Sequence, residues 1–517
     1  MRMPIIILIR MKNLILFFIL FISSCVYCQD KYGYQWQFTN HNIIDFRTTP
    51  AKIDIISPLP FYDTGDFSSN ICDKNTGDLL FISGGCYVQN KQFRIMKNGD
   101  SINSKVAYWS WCRVMSGDGT FPMYQNNTII PMPNSSNKYF LFNLNFDTLT
   151  VGYYKTFVPF MDSMWSPIVI IFPRNLYQNI IDMNGDNGLG EVIEKKKIVL
   201  TDTLCNGGYL TVTRHKNGKD WWLVVPEWKT NCYYVVPVTA NGAGIPQKQC
   251  LGLNWRDEDR GGQVDISPDG TKYARVNKRD TIVVFNFNNE TGQFSNPIAL
   301  YQPNKTDFLQ GVCFSQNSRF LYVMHLQTVY QFDLQATDVQ KSMKIIADIK
   351  PLNQDGIKGQ FQFSKLAPDG KIYISSPFNH RYLSVINRPN CPGTLCDFKP
   401  YAIELKFFNW GAIPNNPHFN IPPANYTCDS LPSPTQETPE SITLSPNPTQ
   451  GTIQVSTTTA FDNYIVVNAM GQAVQVGKWN ATQSEIDVAA LPEGIYFVQL
   501  LNNQTHTRAI GRFVLKK

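Results

Sequence analysis

Most of the chain repeats one short pattern: an apolar or aromatic strand, a tight turn, and a second strand rich in Phe, Tyr, Ile and Val. In the three clearest copies the turn lies at Gly270, Ser318 and Gly370, which are 48 and 52 residues apart. Looser copies lie at 73–81, 133–142 and 215–224. Turns of this kind favour Pro, which fixes φ, Asp, which bonds nearby backbone amides, and Gly, which tolerates positive φ. The repeated unit is therefore a pair of strands.

A period near fifty residues with strands at each turn indicates the blades of a β-propeller. A four-stranded blade with apolar residues on both faces cannot bury them alone, whereas a closed ring of blades can. Six turns are visible, and the long stretch between positions 136 and 218 leaves room for one more blade around 153–200. We therefore predict an all-β fold with an N-terminal propeller of seven blades, with six as the alternative. A helical core is not expected, because no 15-residue window carries a capped apolar stripe at 3.6 spacing.

The segment 1–28 contains the three regions of a signal peptide in order. Lys12 precedes the apolar run 14–22, which is followed by two serines and then by Cys28. A run of this length is about half of what a membrane-spanning helix needs, and no other transmembrane span is expected. We predict cleavage after Cys28 and export. A lipoprotein signal is the alternative, since residues 22–25 fit a lipobox that would leave Cys25 acylated at the new N-terminus.

Ten cysteines follow residue 28, and an even number in an oxidising compartment favours disulfides over metal sites. Cys391 and Cys396 flank a Pro-Gly turn that can bring two sulfurs within bonding distance. We predict a disulfide between these two and leave the other pairings open. A zinc site is not expected, because the four ligands and their usual spacing are missing and no two of the six histidines lie at metal-ligand spacing.

The composition changes at Pro422 and Pro423, and residues 429–439 are rich in Pro, Ser and Thr, as in a stiff, solvated linker. Beyond the linker, six or seven short alternating strands in about 75 residues indicate a small C-terminal β-sandwich. We predict a signal peptide at 1–28, the propeller at 29–423, a linker at 424–441 and the sandwich at 442–517.

Four motifs follow one another in the C-terminal segment: LSPNPTQG at 444–451, VNAMGQ at 467–472, LPEGIYFV at 491–498, and a closing strand that ends at Lys516 and Lys517. In this order they resemble the C-terminal sorting domain of the type IX secretion system, with which Bacteroidetes export proteins across the outer membrane. One departure is Asn468-Ala469, where family members more often carry a Tyr/Asp pair. The resemblance implies that residues 442–517 engage the type IX machinery and are then removed, with release or attachment at the outer-membrane surface.

The segment 31–421 is similar to propeller-like, WD40-like proteins of the same bacteria. The similarity rests on YQWQF at 34–38, TGDLLF at 76–81, GKDWWLV at 218–224 and LSVINRPN at 383–390. It brings no activity with it.

Two segments are candidates for ligand binding. Residues 182–188 place Asp, Asn and Asp at alternating positions, which suits Ca²⁺, but the sixth and twelfth positions of an EF-hand are Asn187 and Ile193, so a plain turn is favoured. The aromatic cluster 108–111 and the Trp221, Trp222 and Trp228 group could stack on sugar rings, although alternation along a strand favours core packing. Asp220 and Glu227 lie near these tryptophans and suggest, weakly, a carboxylate pair for glycoside cleavage.

The charge and motif content exclude several function classes. The net charge is +6, and three of the positive charges lie within the segment 1–28, so a nucleic-acid partner is not expected. The chain has no G-x-S-x-G elbow, P-loop or G-x-G-x-x-G fingerprint. We therefore assign no catalytic, cofactor-binding or metal-binding residue.

Three functions are compatible with this sequence. The first is an exported propeller that binds a polysaccharide or a protein through its loops. The second is an extracellular propeller enzyme, such as a glycoside hydrolase or lyase, with carboxylates converging at the central channel. The third is a structural component of the cell-surface layer. Binding is favoured over catalysis, because no catalytic signature is present.

Overall fold

The computed structural model describes most of the chain after residue 29. The described residues are 30–37, 42–55, 68–104, 124–156, 164–205, 209–254, 261–277, 281–301, 309–349, 360–377, 380–409, 411–419, 421–428, 440–457, 460–469, 473–480, 485–502 and 508–517. The predicted signal peptide and the alternative acylation site at Cys25 lie outside them. The chain divides into two compact units, Met1–Asp429 and Ser430–Lys517.

The described residues contain strands and two short 3-10 turns, Asp186–Gly188 and Gly393–Cys396, and no α-helix, which confirms the all-β fold. No helix within the described ranges is long and apolar enough to cross a membrane.

The described residues of the first unit form seven antiparallel sheets, which we call blades 1 to 7 in chain order. Blade 1 holds β1 (Gln35–Gln37), β2 (Asn42–Asp45) and β3 (Lys52–Ile55). Blade 2 holds β4 (Ser69–Cys72), β5 (Leu79–Ser83) and β6 (Val88–Asn90). Blade 3 holds β7 (Asn127–Pro131), β8 (Lys138–Thr156), β9 (Met164–Asp182) and β10 (Glu191–Thr201). Blade 4 holds β11 (Thr211–Arg214), β12 (Trp221–Pro226), β13 (Cys232–Thr239), β14 (Gly242–Ala243) and β15 (Gln247–Cys250).

The last three blades have four strands each. Blade 5 holds β16 (Val264–Ile266), β17 (Lys272–Val276), β18 (Thr281–Asn288) and β19 (Gln293–Tyr301). Blade 6 holds β20 (Leu309–Phe314), β21 (Phe320–His325), β22 (Thr328–Asp333) and β23 (Lys344–Asp348). Blade 7 holds β24 (Ser364–Leu366), β25 (Ile372–Ile374), β26 (His380–Ile386) and β27 (Phe398–Asn409).

The six turns read from the sequence occupy the same place in six blades, between the first and second strands. Gly270 and Gly370 adopt φ values of +69° and +78°, and Ser318 takes the equivalent position with a φ of +59°. In the three clearest copies, an Asp or Asn side chain accepts a hydrogen bond from the backbone amide two residues later in the chain. Asp269, for example, accepts from Thr271 N (3.0 Å). The turn chemistry predicted from the sequence therefore forms the repeated hairpin.

Successive blades pack through their apolar faces, because neighbouring side chains on a strand point to opposite sides. Trp221 joins the cluster shared by blades 2, 3 and 4, while the adjacent Trp222 joins the cluster shared by blades 4 and 5. Similar clusters join blade 5 to blade 6, blade 6 to blade 7, and blade 7 to blade 1. Burial therefore comes from contacts between blades rather than from within one blade.

The ring closes between blade 7 and blade 1. The Asn42 side chain donates to the backbone oxygen of Phe407 (3.1 Å) and accepts from its backbone amide (2.9 Å). On the other side of blade 1, the Asn70 side chain of blade 2 donates to Gln35 O (2.8 Å). The structure thus confirms a seven-bladed propeller.

One step in the blade count was wrong. The segment 153–200 forms no separate blade: β8 and β9 are 19-residue strands that pair with each other, and β10 completes the same sheet. The seventh blade is the N-terminal β1–β3 sheet. Its strands are short and lack the Pro-Asp-Gly turn, so its sequence does not show the repeated pattern.

The predicted disulfide between Cys391 and Cys396 was also wrong. Cys391 is bonded to Cys428, and Cys232 is bonded to Cys250 across β13 and β15. Cys396 ends the 3-10 turn as a buried thiol, packed in the cluster between blades 6 and 7. The Pro-Gly turn directs this side chain into the apolar core, away from Cys391.

The second unit is a β-sandwich with two sheets. Its strands are β28 (Glu440–Ser441), β29 (Thr443–Ser445), β30 (Thr452–Ser456), β31 (Asn463–Asn468), β32 (Ala473–Lys478), β33 (Glu485–Asp487), β34 (Gly494–Leu501) and β35 (Arg508–Leu515). One sheet has the order β28-β35-β34-β31-β32 and the other β29-β30-β33. Ile453 and Ile486 of the smaller sheet share one apolar cluster with Val466, Val498 and Phe513 of the larger sheet.

Candidate functional site

The axis of the propeller is lined by the first strands of blades 2 to 7. β4 lies beside β7, β11 beside β16, β16 beside β20, and β20 beside β24. Each of these strands pairs with the second strand of its own blade, so its other edge presents backbone N–H and C=O groups to the central channel. These groups are buried and need hydrogen-bond partners.

Two glutamine side chains supply part of these partners. Gln125 donates to Val264 O and accepts from Val264 N, both at 2.8 Å. Gln263 donates to Ser364 O (2.7 Å) and accepts from Ser364 N and Val312 N, both at 3.1 Å. An amide offers both a donor and an acceptor, so each glutamine acts as a substitute for a neighbouring strand.

The chain itself also enters the channel, with residues Gly411–Phe419, which we call the central segment. The Asn415 side chain donates to Asn127 O (2.8 Å) in blade 3 and to Leu210 O (2.9 Å), next to β11 of blade 4. Its side-chain oxygen accepts from Gln125 (3.1 Å), and its backbone amide donates to Ser68 O (2.9 Å). One residue therefore ties together the inner edges of blades 2, 3 and 4.

The neighbouring residues extend these contacts. The Asn416 side-chain oxygen accepts from Asn70 N (3.0 Å) and from the Ser69 hydroxyl (3.2 Å). Phe419 packs against Tyr32 and Trp221, with ring centroids 5.2 and 6.2 Å apart. The central segment is thus held by polar contacts in its middle and by aromatic contacts at its end.

A buried charge cluster lies beside the central segment. The Asp265 carboxylate of β16 accepts from His418 Nε2 (3.0 Å), Lys365 Nζ (3.4 Å) and Phe314 N (3.1 Å). Burial raises the pKa of Asp265, but His418 and Lys365 outweigh it and lower that pKa to about 2. Burial and the Lys365 charge lower the pKa of His418, against the pull of Asp265. At neutral pH, Asp265 and Lys365 therefore form an ion pair, and a neutral His418 donates a hydrogen bond to the Asp265 carboxylate.

The channel does not present a glycosidase-type pair of carboxylates among the described residues that line it or its mouths. Asp265 is buried and paired with Lys365. Asp30, which lines a cavity with Pro417 and Phe419, lies 3.9 Å from the Arg214 guanidinium. A general acid in such a pair has a raised pKa and reaches the substrate, whereas the pKa of Asp265 is lowered and its carboxylate is buried.

The calcium candidate at 182–188 forms the connection between β9 and β10. Asp182 accepts from Asn184 N (2.9 Å) and lies 3.7 Å from Lys138 Nζ, while the Asn184 side chain accepts from Asn137 (2.9 Å). Within the described ranges, no three His, Cys, Asp or Glu side chains are grouped as metal ligands. These contacts are those of a hairpin turn.

The tryptophan and carboxylate candidates do not form a sugar-binding site among the described residues. Trp221 and Trp222 are 1% and 5% exposed, so both are core residues, and the cluster 108–111 lies outside the described residues. Asp220 and Glu227 stand at opposite ends of β12, roughly 20 Å apart at about 3.3 Å per residue. Asp220 accepts from Asn217 (2.7 Å), and Glu227 is paired with Lys248 (2.8 Å). The structure therefore does not bring this pair together.

Sequence reasoning missed the central segment altogether. Its residues carry no strand pattern, and its partners lie as far as 347 positions away. The available signal was compositional: Asn415 and Asn416 sit between Pro414 and Pro417, in an irregular stretch that follows the last blade.

In the C-terminal sandwich, the motif residues hold the last strand. Asn447 donates to Arg512 O and accepts from Val514 N, both at 2.9 Å, and so extends the edge of β35 as a strand would. β35 packs closely against β29 at Gly511. A Cβ at this position would lie 2.8 Å from side-chain atoms of Leu444 and Ile442, so glycine is favoured there. The first and last motifs thus form one unit around β35.

Comparison with known families gives a match in the second unit. Residues 443–516 match the family described as the secretion system C-terminal sorting domain. The match confirms the sorting domain predicted from the sequence and supports an extracellular or cell-surface location. No curated protein gives a match to the chain.

Several solved structures are similar to the chain at low identity. PorZ, described as an essential surface component of the type IX secretion system of Porphyromonas gingivalis, is 10% identical, with 94% of this chain and 74% of that chain covered and a TM-score of 0.28. The periplasmic gluconolactonase PpgL of Pseudomonas aeruginosa is 10% identical, with 56% and 88% covered and a TM-score of 0.32. The Cps50 propeller domain of Myceliophteria thermophila is 11% identical, with 72% and 98% covered and a TM-score of 0.27. At these TM-scores the similarities carry no argument, and the propeller assignment rests on blade order and packing.

Proposed function

We propose that the protein is an exported binding module whose propeller engages a polysaccharide or a protein through its outer loops. The observation that supports this is the occupation of the central channel by residues 411–419. Because these residues occupy the axis, the proposal places the ligand on the rims of the blades, where loops on a rigid scaffold commonly carry binding residues.

Catalysis at the axis is the weaker alternative. A glycoside hydrolase needs two carboxylates about 5 to 10 Å apart on either side of a sugar. In the described part of the channel the carboxylates face lysine or arginine, and amides dominate the lining. This chemistry favours recognition over acid–base catalysis.

The proposed route follows from the four predicted segments. Residues 1–28 direct export to the periplasm, the propeller of 29–423 folds there, and the sandwich of 442–517 is recognised by the type IX machinery and removed. The linker at 424–441 lets the machinery reach the sandwich. Acylation at Cys25 is the alternative fate of the N-terminus.

The direct test is a binding screen with the mature protein collected from the medium. It is applied to arrays of glycans and to a panel of bacterial and host surface proteins, with hydrolase and lyase assays on the same ligands. Binding without turnover supports the proposal. Turnover of any bound glycan overturns it in favour of the enzyme, and binding to nothing on either panel overturns it in favour of a structural role.

Deletion of residues 442–517 tests the export route. We expect the truncated chain to remain in the periplasm, with at least a tenfold loss from the medium measured by immunoblotting of cell fractions. As a control, residues 424–517 fused to a periplasmic reporter should carry the reporter out. Equal amounts of truncated and full-length chain in the medium would contradict the sorting role.

A further inference from the structure

We propose that the central channel is a peptide-binding site, which the chain fills in cis with its central segment, and that the Cys391–Cys428 disulfide is the clasp that retains it. The ligand class is an extended peptide of the Pro-Asn-Asn-Pro type. This site is separate from the rim loops of the proposed function.

The first argument is the mode of contact. The central segment belongs to no strand, and its contacts are made chiefly by side chains that reach the free edges of other blades. The side-chain amides of Asn415 and Asn416 form hydrogen bonds with backbone groups at the strand edges, which a smaller or apolar side chain could not do. Recognition of an extended chain by such a row of specific contacts is how a peptide ligand is bound.

The second argument is the fit of the backbone. Gly411 has a φ of +90°, and its carbonyl accepts from the Ser375 hydroxyl (2.8 Å). A Cβ at this position would collide with the Gln362 amide. Only glycine therefore fits at position 411, where the segment enters the channel.

The third argument is the space around the segment. One small cavity is lined by Ile413 and Pro414 together with Tyr124 and Phe363. A second small cavity is lined by Pro417 and Phe419 together with Tyr34 and Pro368. Lys365 of β24 lines both cavities, so both lie beside the same strand and along the central segment.

The fourth argument is the clasp. Beyond the segment, Pro422 O accepts from the Gln316 side chain, and the Tyr426 hydroxyl accepts from Asn390 N (3.2 Å). Cys428 is then bonded to Cys391 in the loop that follows β26. The disulfide closes a loop, residues 391–428, that contains the central segment. Because both ends of this loop are fixed to the propeller, the local concentration of the segment at the channel stays high.

The test uses a labelled synthetic peptide of residues 409–421 and the oxidised mature protein. We expect the wild-type protein to take up little peptide, because its site is full, and the double variant Cys391→Ser/Cys428→Ser to take up at least tenfold more. A peptide with Asn415→Ala and Asn416→Ala should not be taken up. Equal uptake by wild type and variant, or equal uptake of the two peptides, would overturn the proposal.

Hydrogen exchange provides a second measurement that needs no added peptide. In the Cys391→Ser/Cys428→Ser variant, the amides of 411–419 should exchange at least tenfold faster than in wild type, while those of β16–β18 keep their protection. The matched control is Cys232→Ser/Cys250→Ser, which removes a disulfide within blade 4 and should leave 411–419 unchanged. Unchanged exchange in the clasp variant, an equal effect of the control, or loss of protection throughout the propeller would each overturn the role of the clasp.

Discussion

The faces between blades and the central channel are both buried, but they are built from different chemistry. The faces are apolar and aromatic, as at the Tyr233, Tyr273, Phe285 and Phe294 cluster between blades 4 and 5. The channel is held by amides, hydroxyls and one ion pair. Hydrophobic burial is non-directional, so the faces set which blades adhere, while directional hydrogen bonds set how the inner strands align.

This difference predicts that the channel is the more sensitive region to a single conservative change. Replacing Asp265 by Asn keeps the shape but leaves the buried Lys365 without its carboxylate, which costs about 3–5 kcal/mol. Urea unfolding followed by circular dichroism measures this loss. The double variant Asp265→Asn/Lys365→Met should recover most of it, because the ion pair is replaced rather than broken.

The exposed carboxylate Asp78 provides the control for that experiment. It pairs with Arg47 at the surface, where its side chain is 63% exposed, so Asp78→Asn should cost less than about 1 kcal/mol. If Asp265→Asn lowers the free energy of unfolding no more than Asp78→Asn does, the channel ion pair contributes no more to stability than a surface ion pair.

The faces between blades should instead respond to volume. Leu321 is fully buried between blades 5 and 6, and Leu321→Ala should cost about 2–5 kcal/mol, whereas Leu321→Met should cost less than about 1.5 kcal/mol. In the channel, the nearly isosteric Asn415→Asp removes two donors and should cost about 2–4 kcal/mol. Comparable losses for Leu321→Met and Asn415→Asp in the same urea assay would remove the distinction.

Acid should weaken the channel before it weakens the faces. The pKa of Asp265 is lowered from 3.8 to about 2 on folding, so its contribution of about 2 kcal/mol is present above pH 4 and is lost as the pH falls towards 2. The pKa of His418 is also lowered, so its neutral form stabilises the fold at neutral pH and this term declines as the pH falls below 6.5.

Both terms have the same sign, and unfolding measured at pH 7, 5 and 3 should show a steady loss of stability. Asp265→Asn/Lys365→Met should flatten the part of that pH dependence between pH 5 and 3, which belongs to Asp265, while the part below pH 6.5 that belongs to His418 remains. A variant with the same slope as wild type would show that other groups carry the acid sensitivity.

The same contrast explains what the sequence could predict. Alternation at Trp221 and Trp222 and the turns at Gly270 and Gly370 are local patterns, and they were sufficient for the all-β fold, the repeat and the apolar faces. Blade 1 was not predicted, because its strands at 35–55 are short and lack that turn. Asn415 could not be placed, because its partners Ser68, Asn127 and Leu210 are brought to it only when the ring closes.

Cysteine pairing failed for a related reason. Cys391 and Cys396 are close in sequence, but the 3-10 turn directs Cys396 into the core while the chain returns Cys428 to Cys391 after the central segment. Sequence separation is a poor guide where the closing chain passes through the middle of the fold. The C-terminal sandwich was easier to predict, because its motifs follow one another within the single continuous segment 443–516.

Closure of seven blades around the central segment is tested most directly by the distance between the first and last blades. Spin labels at Lys52 on β3 and Lys406 on β27 report this distance by double electron–electron resonance, and the two strands are neighbours in the ring. The ring predicts a short distance, below about 25 Å, whereas seven sheets stacked openly at about 10 Å spacing would separate the labels by roughly 60 Å. A distribution centred near the larger value would contradict the closed propeller.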